Sequence, residues 1–162
     1  MIRKGDSRDV QKPSQRGLVH LKGLVKLEEL DLSYTTTTID NRPGQEITDA
    51  GLVHLKGMTQ LQKLDLSGWW ITDAGLVHLK GLTQLQSLSL INTGIHDAGL
   101  VHLKGLTQLQ TLSLNDTGIH DAGLVHIKEM TSLTELVLLR TQVSLAGVAD
   151  LQKSFPICEI IK

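Results

Sequence analysis

The sequence contains few aromatic residues, one cysteine and almost no net charge, and each shortage excludes a class of protein. Its aromatic residues are two Trp, one Tyr and one Phe. A single cysteine, Cys158, excludes an intramolecular disulfide framework. The formal net charge of -1 gives no general reason to expect nucleic acid or an anionic membrane as partner. No apolar run follows the charged N-terminus, so we predict neither a signal peptide nor a membrane helix, and we expect a cytoplasmic protein.

The composition that remains is typical of one soluble globular domain. A chain of 162 residues is long enough to bury a sizeable core and too short to suggest two domains. Apolar residues make up 40% of the chain and charged residues 20%, a balance that argues against disorder.

Internal repetition is the strongest signal. Thr-Gln-Leu-Gln begins at positions 59, 83 and 107, and Thr-Ser-Leu-Thr follows at 131, a period of 24. An earlier copy starts at Leu24, and ten additional residues within 34–45 separate it from the next. We therefore predict a polar N-terminal segment 1–16 and a single repeat domain 17–161. This domain contains five repeats from residue 24 and ends in a terminal strand at 155–161.

Each repeat combines two hydrophobic periods. Leu88 and Leu90 alternate with serines, as in a strand with one buried face, whereas Leu100 and Leu103 are spaced as on a short helix. No single unit can bury its leucines alone, so neighbouring units must stack.

Residues around the short helix have predicted roles of their own. Thr48, Thr72 and Ser144 precede it as N-caps, and the aspartates that follow favour the helix dipole. Gly81 and Gly105 are predicted to close it in the left-handed conformation. The Ala-Gly pairs are small enough for adjacent helices to approach closely.

The pattern Leu-x-x-Leu-x-Leu-x-x-Thr-x-Ile-x-Asp-x-Gly-Leu-x-x-Leu, at 85–103 and 109–127, resembles the leucine-rich repeat. The Ile-Thr-Asp-Ala-Gly-Leu box at Ile47–Leu52 and Ile71–Leu76 is similar to the subclass of F-box-type and many bacterial repeat proteins. The resemblance implies an α/β leucine-rich repeat solenoid: a right-handed horseshoe or arc with a parallel concave sheet and short convex helices. It also implies a recognition scaffold with no particular chemistry.

Two departures from that pattern are visible. The slot that usually holds Asn or Cys contains Thr93, Thr117 and Thr141, whose hydroxyls are able to bond the neighbouring backbone. Trp69 occupies this slot in its own unit, and we expect that it cannot form that bond. Nothing resembles an F-box. The near-identity of the units fits either recent duplication or a consensus design.

Histidines recur with the repeat, and two interpretations apply to them. They occupy matching positions in successive units: His20, His54, His78, His102 and His126. A ladder of imidazoles suggests a metal site, but packed helices lie about 8–10 Å apart and Zn–N bonds need about 2 Å. We expect solvated side chains that point away from the core, and no metal or cofactor.

Three other features have an ordinary structural reading. His96-Asp97 and His120-Asp121 look like acid–base fragments but stand at capping positions. Cys158 aligns with the core position of Leu136, which predicts a buried, inert thiol. The Thr35–Thr38 run is read as a solvated loop, with phosphorylation as the alternative.

Strand residues that alternate with the core leucines should line the concave face. They grade from acidic in the first units, through small hydroxyls, to apolar in the last. The predicted exposed apolar cluster comprises Ile91, Val137, Leu139, Ile157 and Ile161. It marks either a partner contact or a surface covered by a C-terminal segment or a dimer partner.

The tryptophan pair is the main local anomaly. Trp69 and Trp70 follow a strand, and the insertion that begins with Tyr34 leaves the same edge of the preceding unit. We therefore expect these three aromatic residues to lie together. They are either anchors for a partner, since aromatic residues often carry binding energy, or packing beneath the insertion.

The function predicted from these features is non-enzymatic recognition of a protein or peptide. Trp69, Trp70 and Tyr34 would anchor the partner, and Glu29, Asp31, Lys63 and Asp65 would specify it. The alternatives are the substrate-recognition arm of a ubiquitin-ligase-like or effector assembly, and a metal-binding histidine ladder. The first full strand, near Glu29–Ser33, presents an open edge unless residues 1–16 cover it. An open edge also allows a homodimer through one end of the solenoid or a chain cut from a longer array.

Overall fold

Six short strands form one parallel, unclosed sheet in the computed structural model, which describes residues 18–34 and 47–162. The strands follow chain order from β1 to β6. Their bounds are Glu29–Asp31 (β1), Lys63–Asp65 (β2), Ser87–Ser89 (β3), Thr111–Ser113 (β4), Glu135–Val137 (β5) and Glu159–Ile161 (β6). The predicted segment 1–16, most of the insertion and the Thr35–Thr38 run lie outside the described residues.

The register repeats the same residue position from strand to strand. Leu64 of β2 pairs with Leu30 on one side and with Leu88 on the other, and these leucines point into the core. Their strand neighbours are not buried, except Val137. The predicted strand periodicity is therefore confirmed, and it places one row of side chains per strand position across the concave face.

Short helical turns return the chain along the convex side. Most are a single turn of α-helix continued by, or replaced by, 3-10 helix, and the last is longer. They comprise Val19–Gly23, Asp49–Leu52 with Val53–Leu55, Asp73–Leu76 with Val77–Leu79, Asp97–Leu103, Asp121–Gly123 with Leu124–Ile127, and Leu145–Ser154. The predicted caps form at Thr72, which accepts the N–H of Ala74 (3.3 Å), and at Ser144, which accepts that of Gly147 (3.0 Å). The cap predicted at Thr48 is wrong, since its side chain makes no capping hydrogen bond.

One continuous apolar core runs between the sheet and the helical turns. In the middle units its leucines and isoleucines are fully excluded from solvent. Burial of each such side chain contributes about 1.5–3 kcal/mol before chain entropy is subtracted. Because every core row is shared by two units, stability depends on stacking.

The aspartate that begins each of the four middle convex turns reaches forward and bonds the next unit. Asp73 accepts the backbone N–H of His96 and Asp97 accepts that of His120, both at 2.8 Å. Asp121 accepts both the N–H (2.7 Å) and the hydroxyl (2.6 Å) of Ser144, and these bonds hold the pKa of Asp121 below its ordinary value. These bonds join two units, whereas the prediction gave each aspartate a role only at the dipole of its own helix.

The glycine two residues after each of these aspartates receives the aspartate of the preceding unit. A Cβ built on Gly99 would overlap the carboxylate of Asp73 and lie 3.1 Å from its Cα. Gly123 and Gly147 meet Asp97 and Asp121 in the same way. The Asp-Ala-Gly sequence is therefore a two-part connector, in which the glycine leaves room for a neighbouring carboxylate.

The left-handed residues lie at the ends of the strands. Gly68 has φ 81°, and Asn92, Asp116 and Arg140, each 24 residues further on, have φ between 53° and 56°. The predicted left-handed conformation of Gly81 and Gly105 is wrong, since Gly68 is the one glycine with positive φ in the described ranges. The turn that needs this conformation leaves the strand rather than the helix.

The histidine column is half-buried rather than fully solvated. Four Nδ1 atoms are shielded from solvent and lack a hydrogen-bond partner among the described residues, those of His54, His78, His102 and His126. The prediction that these side chains point away from the core is therefore wrong in part. Burial, followed by the charge of Lys56 or Lys80, lowers the pKa of His78 and His102, against a smaller opposing effect of Asp49 or Asp73.

The C-terminal residues are buried in a different register from the predicted one. Leu136 pairs with Ile160, so Cys158 does not take the place of Leu136. Instead its N–H donates to the carbonyl of Phe155 (3.2 Å), as that of Leu133 does to Met130 (3.1 Å). The thiol is nevertheless buried, as predicted, and burial raises its pKa.

Gly99→Ala should destabilise the protein, because the new methyl group displaces the Asp73 carboxylate from its bond to His96. We expect a loss of about 1–3 kcal/mol in the free energy of unfolding, measured by urea denaturation. Gly105→Ala in the same unit is the matched control: its Cβ would meet only the Lys80 carbonyl, at 3.8 Å, and should be neutral or slightly stabilising. Equal losses in the free energy of unfolding of both variants would contradict the role of Gly99 and Asp73 as a connector between units.

Stability should decrease as the pH falls below about 6.5, the ordinary histidine pKa. In that range the unfolded chain binds protons at His78 and His102 that the folded chain, with lowered pKa values, does not. Denaturation midpoints between pH 7.5 and about 5 measure this effect. As the pH falls, this loss of stability comes before the loss caused by protonation of Glu29 and Asp121, whose ordinary pKa values are 4.5 and 3.8.

His78→Gln and His102→Gln should each flatten this pH dependence, because each removes one group with a lowered pKa. A dependence of stability on pH that stays at the wild-type slope in both variants would assign it to other groups.

Candidate partner-binding surfaces

The concave face carries three columns of side chains that the core does not use. The first column reads Glu29, Lys63, Ser87, Thr111, Glu135 and Glu159, and the second Asp31, Asp65, Ser89, Ser113, Val137 and Ile161. A third column lies two positions further along the chain in the first five units and contains Ser33, Ser67, Ile91, Asn115 and Leu139. The predicted gradient from acidic to hydroxyl to apolar is followed by the second column alone, because the first column ends in Glu135 and Glu159.

An ion pair occupies the first corner of this face. Glu29 and Lys63 are adjacent in the register, and the Lys63 Nζ lies 2.7 Å from Glu29 Oε1. Lys63 lowers the pKa of Glu29 by hydrogen bonding and by its charge. Both side chains are well exposed, so the pair contributes little to stability and its charges face solvent.

The two aspartates beside this pair are held in one orientation by serines. Asp31 Oδ1 accepts the N–H (2.9 Å) and hydroxyl (2.6 Å) of Ser33, and Asp65 Oδ1 accepts those of Ser67 (2.9 and 2.5 Å). The Ser67 and Ser89 hydroxyls lie 2.7 Å apart. The repeated Asp-Leu-Ser order was a signal for this arrangement, which the sequence reading missed.

The predicted apolar cluster is only partly assembled. Ile161 and Leu139 lie at the last strands and are at least partly exposed, but Val137 is 9% exposed and belongs with the covered residues. Ile157 precedes β6 and is 88% exposed, away from the strand row to which it was assigned. The register shift at Cys158 causes this difference.

Trp69 is buried at the edge where the chain leaves β2. Its ring stacks on that of Tyr34, with centroids 4.7 Å apart, and its Nε1–H donates to the carbonyl of Leu32. In later units the threonine of the same slot bonds the equivalent leucine carbonyl of its own unit, as Thr93 does with Leu90 (2.7 Å). Trp69 therefore does perform the threonine's task, contrary to expectation, but for the preceding unit.

Gly68 makes room for this arrangement. A Cβ at position 68 would overlap the carbonyl oxygen of Tyr34. The backbone N–H of Tyr34 donates to the carbonyl of Ser67 (2.8 Å). Together with its positive φ, this contact excludes any side chain. The Ser-Gly-Trp-Trp sequence thus fixes Tyr34 at the start of the insertion.

Trp70 is the exposed member of the pair. It is 73% exposed, against 4% for Trp69, although its backbone pairs with Thr48 in a parallel bridge along the edge. The expectation that Tyr34 and Trp69 lie together is met, and Trp70 follows Trp69 on the same edge. Trp69 therefore packs against Tyr34, whereas the indole of Trp70 faces solvent.

The titratable side chains of the described residues do not converge on a recognisable chemical centre. Within residues 18–34 and 47–162, no group of three or more His, Cys, Asp or Glu side chains is placed to hold a metal ion. Asp97 bonds the N–H of His120 in the next unit, and its other oxygen lies 3.6 Å from the imidazole of His120. Nor does any helix in the described part of the chain have the length and apolarity needed to cross a bilayer.

Known structures with the same architecture include two bacterial internalins and another bacterial leucine-rich repeat protein. An internalin (InlF) of Listeria monocytogenes is 24% identical, with a TM-score of 0.67, and covers 88% of this chain and 36% of its own. Internalin C2 of the same species is 30% identical, with a TM-score of 0.65, and covers 86% and 54%. A leucine-rich repeat protein of Leptospira interrogans is 21% identical, with a TM-score of 0.56, and covers 89% and 39%.

A further similar structure is a TLR13–ssRNA13 complex, at 23% identity and a TM-score of 0.52, covering 67% of this chain and 15% of that one. The chain matches no protein-family model and no curated protein. It spans less than two thirds of either internalin. The likenesses establish the architecture: this chain folds as a leucine-rich repeat solenoid.

Proposed function

We propose that the chain is a non-enzymatic scaffold that binds a protein or peptide through its concave face and the Trp70 edge. The observation that carries the proposal is that three rows of side chains and a nearly free indole project from a rigid backbone without serving the core. The similarity to internalins and other leucine-rich repeat proteins supports an interaction module.

Trp70 is the anchor in this proposal. Trp69 and Tyr34, which were candidate anchors, act through it: their stack and the Leu32 hydrogen bond fix the backbone from which the Trp70 indole projects. A side chain that is positioned before binding loses less conformational entropy on contact, which increases affinity.

Glu29, Asp31, Lys63 and Asp65 are the proposed polar specifiers. Serine bonds orient the two aspartates, and the ion pair orients the other two residues. Charges at such a rim affect partner choice and association rate more than affinity.

A protein partner is favoured over a nucleic acid by the charges of the strand residues. Glu29, Asp31, Asp65, Glu135 and Glu159 are acidic, and Lys63 is the basic residue in the paired strand columns. Such a face repels phosphate groups, on which nucleic-acid affinity largely depends. The RNA in the TLR13 complex belongs to a protein that resembles this one in fold alone.

Tryptophan fluorescence should separate the two indoles. Trp69→Phe leaves Trp70, and we expect red-shifted emission that acrylamide quenches readily, whereas Trp70→Phe leaves a blue-shifted, protected signal. Trp69→Ala should lower the free energy of unfolding by about 3–5 kcal/mol and Trp70→Ala by less than about 0.5 kcal/mol. Protected emission from Trp70 would remove the anchor from the proposal.

Binding is tested by selecting peptides from a displayed random library on the immobilised full chain, and by measuring their Kd for variants. Trp70→Ala should weaken the selected peptides by at least about tenfold, as expected for an interface hot spot, and Asp31→Asn with Asp65→Asn should weaken those that carry Lys or Arg. Val125→Ala, on the convex side at 56% exposure, is the matched control. Peptides that respond to Val125 but not to Trp70 or the aspartates would contradict the proposed surface.

A further inference from the structure

The convex side carries a strip of half-exposed valines. In each of the first four turns a core leucine is followed by a valine that faces outward, at Val19, Val53, Val77 and Val101. These valines are between 38% and 46% exposed, whereas the four leucines before them are at most 1% exposed. Consecutive turns pack against one another, so the valines form one continuous strip. A continuous apolar strip differs from the single surface side chains that need no explanation.

A column of lysines borders this valine strip. A lysine stands three residues after each valine, at Lys22, Lys56, Lys80 and Lys104. Residues three apart on a helical turn are neighbours, so each lysine side chain lies beside its valine. After burial, the charge of Lys56 is the next cause of the lowered pKa of His78 in the following unit. Lys80 acts in the same way on His102. The lysine charges therefore act across the convex surface toward the following unit.

The later lysines are paired with carboxylates and the earlier ones are not. Lys104 donates to Glu129 of the next unit (2.9 Å). Lys128 donates in turn to Asp150 (2.5 Å). The earlier units have glycine in the position of Glu129, at Gly57, Gly81 and Gly105. Three lysines accordingly form no ion pair within the described residues: Lys22, Lys56 and Lys80. The positive charge is thus uncompensated beside the first part of the valine strip.

This combination fits a partner that carries carboxylates beside apolar side chains. A bilayer fits less well, because valines that are more than half covered cannot reach the roughly 5–10 Å into the headgroup boundary that interfacial binding uses. Single-stranded nucleic acid also fits less well, since its bases stack on aromatic or arginine side chains. The turns at 19–23, 49–55, 73–79 and 97–103 contain no Trp, Tyr, Phe or Arg. A phosphate backbone would contact the lysines and leave the valines uncovered.

We propose that the first three convex turns bind an acidic, amphipathic protein segment through six side chains: Val19, Val53, Val77, Lys22, Lys56 and Lys80. Apolar side chains of the segment lie on the valine strip, and its carboxylates pair with the three lysines. This surface lies on the opposite side of the solenoid from the concave face, so the inference goes beyond the proposed function and does not depend on it. The consequence is a scaffold that holds two partners at once.

Installing the missing acid in the earlier units tests the proposal. Gly81→Glu with Gly105→Glu puts a carboxylate in the position of Glu129, one unit after Lys56 and Lys80 respectively. Both positions accept a side chain, since a Cβ there meets only a carbonyl oxygen, at 3.8 Å. Gly81→Gln with Gly105→Gln is the matched control of nearly equal size without charge. Urea denaturation confirms that both proteins are folded.

The probe is a displayed peptide library in which each position is Glu, Leu, Val or Ser, selected on the immobilised full chain. We expect peptides whose Kd is weakened at least about tenfold by the two Glu substitutions and is unchanged by the two Gln substitutions. Lys56→Gln with Lys80→Gln should weaken the same peptides, whereas Lys128→Gln, at a paired lysine, should not. Trp70→Ala should also leave their affinity unchanged.

A library that yields no such peptide would overturn the proposal, and so would peptides that respond equally to the Glu and Gln substitutions. Peptides that depend on Trp70 but not on the lysines would assign binding to the concave face and its edge instead. Phosphatidylserine vesicles and a single-stranded oligonucleotide are measured with the same variants. If one of these loses binding in the Glu variant while no peptide binds, the surface serves a lipid or a nucleic acid and the proposal fails.

Discussion

The contact between one unit's aspartate and the next unit's backbone is the constraint on which the other features depend. The carboxylate that begins each of the four middle convex turns accepts an N–H from the following unit and packs on a glycine of that unit. The bond fixes how far one unit is translated and rotated from the last. Because the strands follow the same step, their register repeats and the concave columns align. The alignment of the proposed recognition surface is thus a consequence of stacking.

The second unit accommodates the insertion through residue changes at one place in the repeat pattern, and the translation and rotation between units are unchanged. Gly68 and Trp69 stand where Asn92 and Thr93 stand one unit later, and the indole bonds the leucine carbonyl of the preceding unit. Tyr34 is held on the ring of Trp69, and Trp70 is left in solvent. One substitution of the repeat pattern therefore serves two purposes: it supports the base of the insertion and presents an exposed aromatic side chain on ordered backbone.

Much of the fold was predictable because many copies obey the same local rules. Alternating leucines such as Leu88 and Leu90 specify the strand face, and the period of 24 specifies parallel stacking. The aspartate contacts were not predictable, since a residue that fits the dipole of its own helix also fits a bond to a neighbour. The register near Cys158 was misassigned because the last unit departs from the period. Which tryptophan faces water depended on the Tyr34 stack, a contact between units that no local pattern encodes.

A double-mutant cycle on Asp121 and Gly147 tests the connector most directly, since the three atoms nearest to a Cβ at Gly147 all belong to Asp121. The account predicts that Gly147→Ala is destabilising in the wild-type chain but neutral or stabilising once Asp121→Ala has removed the carboxylate, with a coupling free energy of at least about 1 kcal/mol. Additive effects of the two substitutions on the free energy of unfolding would contradict it, because they would mean that the glycine and the neighbouring carboxylate act independently.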